Sequence, residues 1–213
     1  MKDIYNLLDG KWEDGTRPKD IFSTYISDNP YEYVEKIIKG LASEKKRIQS
    51  GCAELASLSS VKNPELFYNH ISLFLNNLNA KEPMLRWEAV CVIGNLSCID
   101  KDNKILAHLP TLYNLLSNKS IVLQGHTVLA LSKYANAKPD QAQEILEKLT
   151  LSKDYFPNNR VGYLIDAMEY FINNNKLIDS IITFINSCAD RNINSVTKKA
   201  KKILMKIEKN RNK

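Results

Sequence analysis

The chain has 213 residues, of which 44% are hydrophobic and 25% charged, and a formal net charge of +6. That composition suits one ordinary domain or a short repeat array with a sizeable core, far from the disordered regime. No apolar run approaches the roughly 18 residues a spanning helix needs, and the start Met1-Lys2-Asp3-Ile4-Tyr5-Asn6-Leu7-Leu8-Asp9 is too short and too acidic for a signal peptide, so a cytoplasmic protein with no membrane insertion is expected.

Residues 1–29 do not carry the repeating pattern of the rest of the chain. Residues 2–9 offer two helical turns stopped at Gly10, 11–17 are turn-rich, and 18–26 read as a short helix with proline in its first turn. Trp12, Phe22 and Tyr25 give this segment apolar surface to dock with, and it is expected to cap a repeat array that occupies residues 30–213.

From Pro30 the apolar residues recur with helical spacing. The first pair is read as helices 31–42, with Val34, Ile37, Ile38 and Leu41 inward, and 44–59. Lys62-Asn63-Pro64 opens a second pair, marked by Leu66, Ile71, Phe74 and Leu75, whose second helix begins at Glu82-Pro83. A turn at 100–103 leads to helices 105–116 and 120–135; Lys138-Pro139 leads to 140–149 and 158–173; the last pair is 176–188 and 195–209. No period-2 alternation bounded by hairpin turns is present, so the chain is expected to be all-α.

The second helices repeat one another. Ala89 is followed four and seven residues later by Ile93 and Leu96, and the same positions recur 38 residues earlier as Gly51, Leu55, Leu58 and 38 later as Thr127, Leu131, Tyr134. Further copies read Tyr163, Ala167, Tyr170 and Ala200, Leu204, Ile207, at steps of 36 and 37 residues. A period of this size built from paired helices is the signature of an α-solenoid. Gly51, Gly94, Gly125 and Gly162 fall inside these helices, where each costs about 1 kcal/mol relative to alanine; they are expected to mark close helix contacts between stacked pairs.

The segment Leu85-Arg86-x-x-Ala89-x-x-x-Ile93-Gly94-x-Leu96 resembles the second helix of a HEAT repeat, in the armadillo-like superfamily. The resemblance covers residues 30–213 and is strongest over 44–135. The basic residue three before the small position is present as Arg86 and Arg160, but is Ile48, Gln124 and Thr197 in the other copies. The resemblance implies a right-handed α-α superhelix of about five HEAT-like pairs with an N-terminal helical cap. It also implies a non-enzymatic scaffold that binds another protein or peptide on a concave face lined by second helices.

Positions two before, two after and six after the small residue point away from the core on a helix of about 100° per residue. Across the array they read Gln49, Ala53, Ser57; Trp87, Cys91, Asn95; Gly125, Leu129, Lys133; and Val161, Ile165, Glu169. The middle of this row is apolar. Trp87, Leu129, Val161 and Ile165 suggest a groove for an amphipathic helix or extended peptide, and the partner-binding set is taken as Trp87, Cys91, Asn95, Leu129, Lys133, Val161 and Ile165. The alternative is that these residues pack between neighbouring second helices.

No catalytic, cofactor or metal set emerges. There is no Gly-rich phosphate loop and no nucleophile elbow. A HEAT-like metal hydroxylase would carry His-Glu dipeptides, whereas His70, His108 and His126 are followed by Ile71, Leu109 and Thr127. Cys52, Cys91, Cys98 and Cys188 lie in helical patterns without a Cys-x-x-Cys pair and read as reduced core residues. A HEAT-like DNA glycosylase, which uses a basic groove with aromatics and an aspartate, would point to Trp87 and Asp166; nucleic-acid binding of this kind is the alternative function. Residues 198–213 hold eight Lys or Arg against the single Glu208, a net of +7, so the preceding 197 residues hold 22 basic and 23 acidic groups, a net of −1. A neutral body supplies few phosphate contacts. The basic run, which extends to Arg211 and Lys213, sits opposite an apolar stripe of Val196, Ala200, Ile203, Leu204 and Ile207, the arrangement of a terminal repeat with a polar outer surface.

Overall fold

A computed structural model of the chain describes residues 2–190 and 193–211; Lys213 of the basic run lies outside them. The described residues contain α-helices, short 3-10 turns and one π turn, with no strand. The chain divides into two compact units, residues 1–109 and 110–213.

Unit 1 contains α1 (Ile4–Leu8), α2 (Pro18–Ile21, continued by a π turn Phe22–Ile26), α3 (Val34–Gly40), α4 (Lys46–Ser60), α5 (Glu65–Tyr68), α6 (Ile71–Asn77) and α7 (Pro83–Leu96). Helix α8 (Leu109–Leu115) begins at its end, and unit 2 continues with α9 (Ile121–Ala137), α10 (Ala142–Leu151), α11 (Gly162–Ala167), α12 (Ile178–Ala189) and α13 (Asn194–Arg211).

Local chemistry sets several starts. The Asp3 carboxylate accepts from the Tyr5 amide at 3.1 Å, and the Ser120 hydroxyl accepts from the Leu123 amide at 3.4 Å, each filling an orphan donor of the first turn. Proline occupies the first turn of α2 and α7, where no intrahelical donor is lost. The first helix of the second pair is broken into α5 and α6 at Asn69-His70, with His70 outside helical geometry.

The second helices form the cores. In unit 1, α4 buries Ile48, Gly51, Cys52, Leu55 and Ala56, and α7 buries Leu85, Ala89, Val90, Ile93 and Leu96; the two helices pack on each other. Asn95 ties them further by donating to the Ser57 carbonyl at 3.2 Å and the Ser60 hydroxyl at 2.9 Å. In unit 2, α11 packs against α9 and α13, and α12 against α13. Leucine, isoleucine and valine at helical spacing drive this packing, each worth about 1.5–3 kcal/mol when fully buried.

A side chain near the start of three second helices reaches back to a carbonyl at or just beyond the end of the first helix of the same pair. Gln49 donates to the Leu41 carbonyl at 3.0 Å; Arg86 donates to the Ala80 carbonyl from Nε at 2.8 Å and Nη2 at 2.6 Å; Gln124 donates to the Leu116 carbonyl at 2.9 Å. A helix leaves its last carbonyls without partners; Gln49 and Gln124 supply one at the ends of α3 and α8, and Arg86 does the same for a carbonyl of the loop after α6. Gln124 therefore does the work of Arg86 at the same repeat position, and Gln49 does it from one residue later. Arg160 does not: it is exposed, in a 3-10 turn ahead of α11.

Buried polar groups are mostly matched. Asp100 is 2% exposed and accepts from the Tyr68 hydroxyl at 2.9 Å and from the Lys104 and Ile105 amides at 2.9 and 3.0 Å. It folds the 100–105 turn onto α5, and burial together with that hydrogen bond pushes the Tyr68 phenol up to about 12. The cysteines are free; Cys52 and Cys188 are buried as expected, Cys91 is half-buried, and Cys98 is exposed, with its thiol directed to the Asn95 carbonyl at 3.3 Å. Cys98 thus departs from the expected core position because it lies in the 3-10 turn that ends α7.

Candidate interaction cleft

Unit 2 carries an open cleft of about 430 Å³ between α9 and the α11 segment, lined by Val122, Gly125, His126 and Leu129 on one side and Tyr163, Asp166, Ala167, Glu169 and Tyr170 on the other. Gly125 lies on its floor, where a Cβ would make ordinary contact with the Tyr163 ring at 3.4 Å. One step on the approach is tighter: a Cβ at Gly162 would meet the stem of Lys199 at 3.1 Å. Gly162 is thus a close approach between successive second helices, as expected, whereas Gly125 has room for a Cβ. Gly51 differs, because its neighbour is Leu8 of α1.

The cleft is apolar where it is open. Val122 is 49% exposed, Leu129 38% and Tyr163 37%, in a unit whose other second-helix Leu and Ile side chains are buried or half-buried. Its acidic rim is already paired: Lys199 of α13 contacts Asp166, and Lys206 contacts Glu169. The Lys199 ammonium also lies 5.9 Å from the centre of the Tyr163 ring and 3.4 Å from the Gly162 carbonyl. Burial, and after it the Glu169 charge, raise the Tyr170 phenol above its ordinary value.

Of the seven residues singled out from the sequence, Leu129 lines this cleft. Lys133, on the same helix, is half-buried. Trp87, Cys91 and Asn95 lie in unit 1 and are half-buried; the Trp87 indole donates to Glu88 Oε1 at 2.9 Å, and Asn95 is committed to α4. Val161 and Ile165 are corrections: both are fully buried and belong to the core of unit 2. The cause is a one-residue slip of register. The inward triad of this copy is Leu164, Met168 and Phe171, all buried, while Tyr163 and Asp166 face out. Counting two before, two after and six after Leu164 gives Gly162, Asp166 and Tyr170, and the last two line the cleft.

Near Trp87, α4 and α7 bring Glu54 and Glu88 together. Glu54 is half-buried, and burial together with the Glu88 charge raises its carboxyl above the ordinary value. Neither carboxylate makes an ion pair among the described residues.

No helix among the described residues is long and apolar enough to cross a membrane, and no group of three or more His, Cys, Asp or Glu among them is arranged to hold a metal ion. No protein-family model matches the chain, and no curated protein matches its sequence. Solved structures do match its fold. One engineered protein is 14% identical with a TM-score of 0.58, covering 98% of both chains. A designed armadillo repeat protein is 14% identical with a TM-score of 0.62, covering 93% of this chain and 95% of its own. A second engineered protein is 13% identical with a TM-score of 0.63, covering 98% of this chain and 100% of its own. The helical pairs and these likenesses together give the chain the all-α fold of an armadillo- and HEAT-type repeat solenoid.

Proposed function

We propose that this chain is a non-enzymatic scaffold that binds a segment of another protein in the cleft between α9 and α11, with residues 1–29 capping the first repeat. The supporting observation is the exposed apolar wall that Val122, Leu129 and Tyr163 form together, rimmed by polar side chains, on second helices whose Leu and Ile side chains are otherwise buried or half-buried. The cleft has the size and apolar character to take one or two anchoring side chains of an amphipathic helix or extended peptide. Its carboxylates are neutralised within the fold, which favours an apolar anchor over a cationic one.

Selection of a random peptide library against the intact protein tests this. Enriched peptides rich in Leu, Ile, Phe or Trp, whose binding is lost in Leu129→Asp at unchanged melting temperature, are expected. Peptides that bind Leu129→Asp as tightly as the parent overturn the cleft as the binding site.

A further inference from the structure

The basic charge of α13 divides into two sets with different jobs. Lys199, Lys206 and Arg211 pair with Asp166, Glu169 and Asp179 of the neighbouring helical segments. Lys198, Lys201, Lys202 and Lys209 are exposed and have no ion pair among the described residues. Val196, Ala200, Ile203 and Ile207 are buried, so α13 packs through the apolar stripe. Lys198, Lys202 and Lys209 recur at helical spacing on the side opposite that stripe, around Met205, which is 62% exposed. They form a ridge about 16 Å long at 1.5 Å per residue, with Lys201 and the single acid Glu208 on its flank.

We infer that this ridge is a docking surface for the phosphate backbone of nucleic acid. Charge complementarity argues for a polyanion: four lysines that stabilise nothing inside the fold face outward along one helix, against one carboxylate. The length matches several successive phosphates, which advance 3.4 Å per residue along each strand of a duplex. A membrane surface fits less well, because an interfacial helix binds by sinking its apolar face among the lipids, and here that face is already inside the core. All four cations of the ridge are lysines, whose ammonium groups act as point charges toward phosphate, and phosphate contacts carry no sequence information, so binding is expected to be independent of sequence. This surface is separate from the α9–α11 cleft, and its failure leaves the cleft reading intact.

Fluorescence anisotropy with a labelled DNA duplex of arbitrary sequence, titrated with the full chain between low and physiological salt, tests the inference. Four phosphate contacts give a log–log salt slope of about −3.6. The variant Lys198→Glu/Lys202→Glu/Lys209→Glu is expected to lose at least about tenfold in affinity and most of that slope. A control with the same change in net charge, Lys39→Glu/Lys62→Glu/Lys101→Glu, is expected to stay within about twofold. Unchanged melting temperatures show that both variants fold. No salt-dependent binding by the parent, equal losses in the two variants, or binding of phosphatidylserine vesicles without the duplex would each overturn it.

Discussion

The Arg86 guanidinium grips the Ala80 carbonyl with two donors, Nε at 2.8 Å and Nη2 at 2.6 Å, and so fixes the start of α7 to the loop that leads from α6. Hydrogen bonds from charged donors contribute about 1.5–3 kcal/mol, and the half-buried position of Arg86 places this one at the lower end. Arg86→Ala is expected to cost about 1.5 kcal/mol in urea unfolding. Arg86→Gln should recover part of that, because Gln124 makes the equivalent bond at 2.9 Å with a neutral amide. Equal losses in both variants would show that the packing of the arginine stem, and not the bond, matters.

The glycines give opposite expectations at two sites. In α9, a Cβ at Gly125 makes ordinary contact with the Tyr163 ring at 3.4 Å, so Gly125→Ala should stabilise by up to about 1 kcal/mol through helix propensity. In α4, a Cβ at Gly51 would lie 2.4 Å from Leu8 Cδ2, and Leu8 is fully buried with no room to swing out. Overpacking of this kind costs about 1–3 kcal/mol, and Gly51→Ala is expected to destabilise despite the better propensity. A gain at both positions would mean that α1 yields without cost.

The fold is legible in the sequence because period and chemistry agree: Ala89, Thr127 and Gly51 are buried where the 38-residue step puts them. The slip in the fourth copy has a physical cause. The segment Tyr163-Leu164-x-x-Ala167-Met168-x-Tyr170-Phe171 carries two apolar registers one residue apart, and tyrosine suits either a core or a surface. Arg160, which matches Arg86 in spacing but not in contacts, favours the wrong one. The buried Gln124, 3% exposed, is the informative residue, since a buried amide needs partners. Leu129 is reachable from helical geometry alone; the Lys199–Asp166 and Lys206–Glu169 pairs join positions 33 and 37 residues apart, which local patterns do not connect.

The Glu54–Glu88 pair predicts a pH effect. The Glu54 carboxyl is raised above its ordinary value of 4.5 by burial and then by the Glu88 charge. A carboxyl raised on folding binds its proton more tightly in the native state, so stability falls as pH rises from the unfolded to the folded value. The penalty is absent below the unfolded value and grows until the pH passes the folded one. Glu54→Gln is therefore expected to raise the melting temperature at pH 7, with the difference from the parent shrinking as pH falls through the carboxylate range. A difference that stays constant with pH would assign the gain to packing.

Trp87 offers the sharpest test in unit 1. Its ring is half-buried, and its indole N–H donates to Glu88 Oε1 at 2.9 Å. Removing a fully buried large aromatic costs about 3–5 kcal/mol, so partial exposure sets the expectation for Trp87→Ala at about 1–2 kcal/mol, or a few degrees of melting temperature at this chain length. Trp87→Phe keeps most of the apolar contact and loses the donor, and should fall between the parent and the alanine variant. Chemical denaturation followed by far-UV circular dichroism measures both without relying on tryptophan emission. A loss above about 3 kcal/mol would place the ring in the core. No loss at all would show that its contacts in unit 1 are incidental and that the exposed part of the ring is what its position serves.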